Sequence, residues 1–200
     1  MSIDRETALK QLGPRHLDLL RQCLERAWDK YEALIRPVLP LCHPTAQATI
    51  IREFILEEVR HVFAGEVGIT LRDDPTGDRF LLEVNGFFVI QFRKLTTDFH
   101  TVNNPTETSK AFDRQEQIEG YPALPRLTAG YQLGQYRTDF SGIWLAFLVG
   151  NELQWYHDLR TGEYPITLDF PRPHDGAADL EKEEERRRKT EEDDQREEKA

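Results

Sequence analysis

At Gly65 the hydrophobic period of this chain changes from that of a helix to that of a strand, and this change restricts the fold more than any other feature. Before it, Leu17, Leu20, Leu24, Ala27, Trp28, Tyr31, Leu34 and Ile35 recur at three- and four-residue spacings, which puts them on one stripe of a helix over 15–36. Pro37 and Pro40 stop that helix, because proline donates no backbone N–H and clashes with the preceding turn. A second helix is expected from Thr45, read as its N-cap, with Ile51, Phe54, Ile55, Val59 and Val62 on one side and Gly65 as terminator.

Beyond Gly65, Val67, Ile69 and Leu71 alternate with Gly68, Thr70 and Arg72, as in a half-buried strand. "DDPTGD" (73–78) is turn-forming, and "RFLLEV" and "FFVIQFRKL" flank Asn85-Gly86, a dipeptide suited to the positive φ values of a two-residue type I′ hairpin. Such a turn opposes Val84 to Phe87, Leu82 to Val89, Phe80 to Gln91 and Asp78 to Arg93. Further strands are expected over 126–133, 142–149, 153–159 and 166–170, with a turn at Gly150-Asn151. The continuous apolar run Ile143–Val149 predicts a strand covered on both faces. The expected class is therefore α+β, with two N-terminal helices packed on a strongly bent, mainly antiparallel sheet of about seven strands.

A single domain over 1–175 is expected, since 200 residues suffice for one substantial core. Residues 176–200 read as a disordered or transiently helical charged tail. Residues 181–200 hold seven Lys or Arg and ten Asp or Glu and no large apolar side chain, so they have nothing to bury. The net charge of −10 argues against nonspecific duplex DNA binding, which needs a basic face. Two cysteines, Cys23 and Cys42, are too few for a secreted disulfide framework. The first residues lack the apolar run of a signal peptide, and no stretch approaches the ~20 apolar residues of a membrane span. Together these point to the cytoplasm.

Residues 96–122 lose periodicity, and a connector of this length inside a compact domain is usually functional or disordered. A strand delivers Gln91, Arg93 and Lys94 to its entrance, and His100, Asn103, Asn104, Thr108, Ser109, Lys110 and Arg114 follow. Hydroxyls, amides and cations at this density suit phosphate or a nucleotide. Residues 96–114 hold no glycine, which excludes the backbone cradle of a Walker A loop. The plain alternative is a solvated connector in which Asn, Thr and Pro satisfy local turns.

A Mg²⁺-dependent nuclease of the PD-(D/E)XK kind would draw on Glu58, Asp78, Glu83 and Lys94, with carboxylates holding the cation and the lysine stabilising the attacking species. Phe92 stands two residues before Lys94, where that chemistry wants a carboxylate. No other cofactor is expected. No metal site is expected either, because Cys23, Cys42, His43 and His61 lack zinc-ligand spacing. His157 falls on the strand face of Leu153, Trp155 and Leu159 and reads as a core histidine. Tyr131, Tyr136, Trp144, Trp155 and Tyr156 are weighed as a base-stacking platform, with core packing the default.

The segments "NNPTETSKAFDRQ", "LPRLTAGYQL" and "QWYHDL" together resemble a class of small bacterial and phage proteins. Their genes neighbour one for a helix-turn-helix protein with an associated zinc metallopeptidase domain. The arrangement is similar to toxin–antitoxin and phage-defence pairs of the RosmerTA type. The resemblance covers about residues 80–160 and implies the toxin half of such a pair, a cytoplasmic effector neutralised by an antitoxin-like protein partner. It carries over no catalytic residue.

Overall fold

A computed structural model describes residues 2–40, 42–73, 80–101, 107–118 and 122–162. The strand expected over 166–170, the charged tail and most of the 73–78 turn lie outside the described residues. The helices are α1 (Arg5–Lys30), continued by a π-helical turn Tyr31–Ile35, then α2 (Pro44–Phe63) and α3 (Glu107–Asp113). The strands are β1 (Ile69–Asp73), β2 (Phe80–Val84), β3 (Phe88–Lys94), β4 (Arg126–Leu133), β5 (Phe140–Val149) and β6 (Glu152–Asp158). They form one six-stranded sheet in sequence order, antiparallel throughout except where β3 lies parallel to β4.

The α+β class and the two N-terminal helices agree with the sequence expectation, with three corrections. First, α1 starts ten residues before position 15, with the Asp4 carboxylate accepting from the Thr7 amide at its N-terminus. The chain breaks at Gly13 (φ 66°) ahead of Pro14, which is why the first turns show no continuous stripe in the sequence. Ala8 and Leu12 are nonetheless fully buried. Second, α2 is capped by His43, whose Nδ1 accepts from the Thr45 amide, with Pro44 in the first turn. Proline is well placed there because the N–H it lacks has no intrahelical partner anyway.

The third correction concerns the hairpin. Asn85 and Gly86 have positive φ, and the Phe87 amide donates to the Val84 carbonyl (2.8 Å), as the dipeptide predicts. However, the strands pair Val84 with Phe88, Glu83 with Val89 and Leu82 with Ile90. Phe87 is an extra, exposed residue, and the register moves by one. The expected Val84–Phe87, Leu82–Val89 and Phe80–Gln91 partnerships are thereby replaced, and Phe80 packs instead near Phe92, with ring centroids 6.3 Å apart.

Alternation assigns the two faces of the sheet. Phe88, Ile90, Phe92, Leu127, Ala129, Tyr131, Ile143, Leu145 and Phe147 form the main core under α1 and α2. Complete burial of one such Phe or Ile side chain stabilises the fold by roughly 1.5–3 kcal/mol. On the opposite face, Leu81 and Val89 pack with Phe112 and Ile118. Beside them Leu95, Phe99, Ala146, Leu148 and Tyr156 form a further cluster. β5 is thus apolar on both faces, as the run Ile143–Val149 predicts. Leu153 belongs to this second cluster rather than sharing a face with Trp155 and Leu159, because the register shifts between Phe147 and Leu148.

His157 is buried and accepts at Nδ1 from the Arg5 guanidinium (3.1 Å), while the Trp155 indole donates to the Ile3 carbonyl (2.8 Å). These two bonds pin the start of the chain to β6. Burial, and secondarily the nearby Arg5 charge, hold the His157 imidazole below the usual histidine range, with Asp158 opposing. The fold therefore favours neutral His157, whereas the unfolded chain takes up the proton at about pH 6.5. Its contribution is complete above that pH and is lost as pH falls through the lower folded pKa. The urea midpoint should accordingly drop between pH 7.5 and pH 5, and His157→Gln should flatten that drop. An equally steep drop in the variant would show that another group is responsible.

Candidate functional site

The long connector from Leu95 to Pro125 exists because β3 and β4 are parallel. Two parallel strands cannot be joined by a tight turn; the chain must return to the starting end of the sheet, a crossover of a dozen residues or more. In this chain the return runs over the face opposite α1 and α2, and its described parts are built rather than formless. Leu95 forms an antiparallel bridge with Thr101. The Thr96 amide donates to the His100 carbonyl (2.9 Å), and the Gln132 side chain donates to the Thr96 carbonyl (2.7 Å). Phe99 adopts φ 63° and stacks on Tyr156 at 4.7 Å, with Trp144 edge-on at 5.3 Å. The sequence left open whether this unpatterned segment is ordered; its described parts are.

After α3 the chain is clamped by Gln115, a buried residue at φ 59°. Its amide nitrogen donates to the carbonyls of Arg126 and Leu148 (both 2.9 Å), and its oxygen accepts from the Arg126 amide (2.9 Å). Arg126 is itself buried; its guanidinium donates to the Ala111 carbonyl at the end of α3 (3.0 Å) and lies over the Phe112 ring at 5.2 Å. A cation at a helix C-terminus faces the negative end of its dipole. The Gly150 amide donates to the Asp113 carbonyl (2.8 Å), which fastens α3 to the β5–β6 turn.

Between the Leu95–Thr101 loop, α3 and that turn lies a pocket of about 720 Å³ lined by His100, Thr101, Lys110, Asp113, Arg114 and residues 148–152. Of the residues singled out in the sequence, the structure brings His100, Lys110 and Arg114 together here. Thr108 and Ser109 fall on α3, and Asn103 and Asn104 lie outside the described residues. Gln91 is buried, and its side chain donates to the Thr128 hydroxyl (2.9 Å) as a cross-strand pair, so it acts within the sheet. Arg93 and Lys94 do not make one surface. Arg93 shares the crossover face, whereas Lys94 continues the face of Phe92 beneath the helices. There burial, with the Arg137 charge nearby, keeps the Lys94 ammonium below the usual lysine range.

Of the nuclease residues, the three that are described, Glu58, Glu83 and Lys94, do not converge. Glu83 lies on the crossover face, paired with Arg72, and Lys94 on the other. Glu83 is level with Val89, five residues and roughly 17 Å along β3 from Lys94. Glu58 is buried between the helices in an ion pair with Lys30 (2.7 Å). Asp78 lies outside the described residues, so its expected pairing with Arg93 does too. Cys23 is buried, and desolvation, helped by Glu58, pushes its thiol up to about 12, far from the thiolate that reactivity or metal binding requires. Among the described residues no group of three or more His, Cys, Asp or Glu is placed to hold a metal ion.

The aromatic residues do not form a platform. Tyr131 stacks on Phe140 (4.6 Å) and Trp155 packs near Phe147 (5.9 Å), both in the main core. Trp144 and Tyr156 pack on the other face, and Tyr136 stands exposed in the β4–β5 connection. A second cleft, of about 610 Å³, is lined by Lys30, Glu57, Glu58, Arg60, His61 and Ala64, and Lys30 is shared there between the two carboxylates. No helix among the described residues is long and apolar enough to cross a membrane. Comparison with family models, with curated proteins and with solved structures returns no match to this chain.

Proposed function

We propose that this chain is the effector half of a partner-controlled pair of the toxin–antitoxin or phage-defence kind, and that it works by binding through the α3 pocket. The observation that carries this reading is the pocket itself. The connector that resembles such effectors folds so that His100, Lys110 and Arg114 line one cavity beside the β5–β6 turn. A surface for a protein partner and a cytoplasmic setting come with that resemblance. The nuclease reading draws no support from the placement of Glu83 and Lys94 on opposite faces of the sheet.

The test is induced expression in a bacterial host, alone and together with the neighbouring open reading frame. Expected is growth arrest that the neighbour relieves. The triple variant His100→Ala, Lys110→Ala, Arg114→Ala should abolish the arrest while keeping its circular dichroism spectrum. Full arrest by the folded triple variant would remove the pocket from the mechanism. Normal growth at confirmed expression of the wild-type chain would remove the effector reading.

A further inference from the structure

Two of the backbone's least comfortable residues flank basic side chains of the pocket. Among the described residues, four other than glycine have positive φ: Asn85, Phe99, Gln115 and Arg137. Asn85 sits in a hairpin turn and Arg137 in an exposed connection, where such conformations are common. Phe99 and Gln115 are different. Each is buried, and a bulky residue in this region persists only where its surroundings over-determine it, a condition concentrated at ligand clamps and active sites. Phe99 is caged by Trp144 and Tyr156, and Gln115 is held by the three hydrogen bonds described above. The residue after Phe99 is His100; the residue before Gln115 is Arg114. Both strained positions therefore aim a basic side chain at the same cavity.

Lys110 adds a third nitrogen base from the same side as Arg114. The two stand four residues apart, with the Arg114 amide donating to the Lys110 carbonyl (2.9 Å), so they project from neighbouring turns. Arg114 also stands 3.9 Å from the Glu116 carboxylate outside the pocket lining, and like charges at this spacing weaken an isolated helix, so the pair is suited to being bridged by an anion. The Thr101 hydroxyl lies at 3.5 Å from the Asp113 carboxylate, which orients the hydroxyl within the wall. Glu152, exposed on the β5–β6 turn, supplies a carboxylate at the rim. The lining thus sets the basic side chains His100, Lys110 and Arg114 beside the carboxylates of Asp113 and Glu152, and about 720 Å³ matches sites for small organic ligands.

We infer that the pocket binds a small phosphomonoester whose organic body carries hydroxyl donors. The phosphate would lie against His100, Lys110 and Arg114, with the hydroxyl-bearing body toward Asp113 and Glu152. Phosphate presents three acceptor oxygens and close to two negative charges, which suits a guanidinium and an ammonium held together. This inference rests on the reading of the pocket as the working site and names the class of compound it would take.

The experiment is isothermal titration of the purified full chain with ribose 5-phosphate and with 5′-AMP, against ribose, adenosine and inorganic phosphate as controls. Expected is saturable binding of both esters, no binding of the two phosphate-free bodies, and weaker binding of inorganic phosphate. Arg114→Gln and Lys110→Gln, both at the pocket surface, should each weaken ester binding roughly tenfold or more with unchanged thermal melting. Absence of saturable heat with either ester would overturn the inference, as would ester binding undiminished in the Arg114→Gln, Lys110→Gln double variant. Tighter binding of inorganic phosphate than of the esters would overturn the role given to the rim. Loss of growth arrest in the triple variant without ester binding by the wild type would leave the effector reading standing and reject only this ligand class. Ester binding by a chain that causes no arrest would do the reverse.

Discussion

Gln115→Ala should lower the stability of the fold by about 3 kcal/mol or more and loosen the crossover where it is held to β4 and β5. The side chain satisfies both backbone groups of Arg126 and the carbonyl of Leu148, all buried, through bonds of 2.9 Å. Alanine removes all three partners at once, and each buried group left unsatisfied costs about 1–3 kcal/mol. Alanine also inherits the φ of 59° without relieving it. Gln115→Gly separates the two contributions: it removes the backbone strain and keeps the loss of hydrogen bonds, so it should recover only about 1 kcal/mol. Urea titration of the two variants measures both quantities, and amide exchange at Arg126 reports the clamp directly. A Gln115→Ala midpoint indistinguishable from wild type would mean that the crossover is held by its apolar contacts alone.

The second large effect is expected at Gly130. A Cβ at this position would stand 2.6 Å from the Arg93 carbonyl oxygen and 2.6 Å from Leu95 Cγ. The leucine side chain can turn away, but the carbonyl belongs to the strand paired with β4, Arg93 lying opposite Gly130. Gly130→Ala must therefore move the end of β3, at an expected cost of about 3 kcal/mol, the upper part of the overpacking range. Adding Leu95→Ala should return only the side-chain share of this cost, and the coupling can be read from the double-mutant cycle. Full restoration by Leu95→Ala would show that the backbone contact is innocuous. Because the Leu95–Thr101 loop begins where β3 ends, the same substitution should displace His100 and weaken whatever the pocket binds.

The elements that share a face with the main core were legible in the sequence because their burial is periodic. Ile51, Ile55 and Val59 on α2 and the alternation along β4 announce themselves at spacings of three to four and of two, and the unbroken apolar run of β5 marks a strand covered on both faces. What was not legible depended on partners distant in the chain. The first turns of α1 are buried by contact with β6 through Ile3 and Arg5, and the Gly13-Pro14 break hides their continuity. The hairpin dipeptide specified its own φ values but not whether Phe87 would pair or stand aside, so the turn was correct and the register moved by one.

The candidate site divides in the same way. His100, Lys110 and Arg114 were visible as polar residues in a long unpatterned segment, yet Gln115 and Arg126, which hold that segment, resemble ordinary surface residues until their burial is seen. One signal could have revealed more. A gap as long as 95–125 between two apolar strands is itself the mark of a parallel pair, since antiparallel neighbours need only a few residues between them. Asp78 illustrates the opposite case, a residue whose expected role depended entirely on a pairing outside the described residues.

The parallel pairing of β3 with β4 also bears on when the pocket comes into being during folding. The antiparallel neighbours β2–β3, β4–β5 and β5–β6 close over a few residues and can form early, whereas β3 meets β4 only after roughly thirty intervening residues have been gathered in, a slower closure. The walls of the pocket come from both sides of that late junction: His100 follows β3, and the β5–β6 turn follows β4. A nascent or partly folded chain would thus hold its two hairpin units without the cavity between them. Whatever binding the cavity confers would stay silent until the last long-range pairing is complete, so the site matures after the hairpins that frame it.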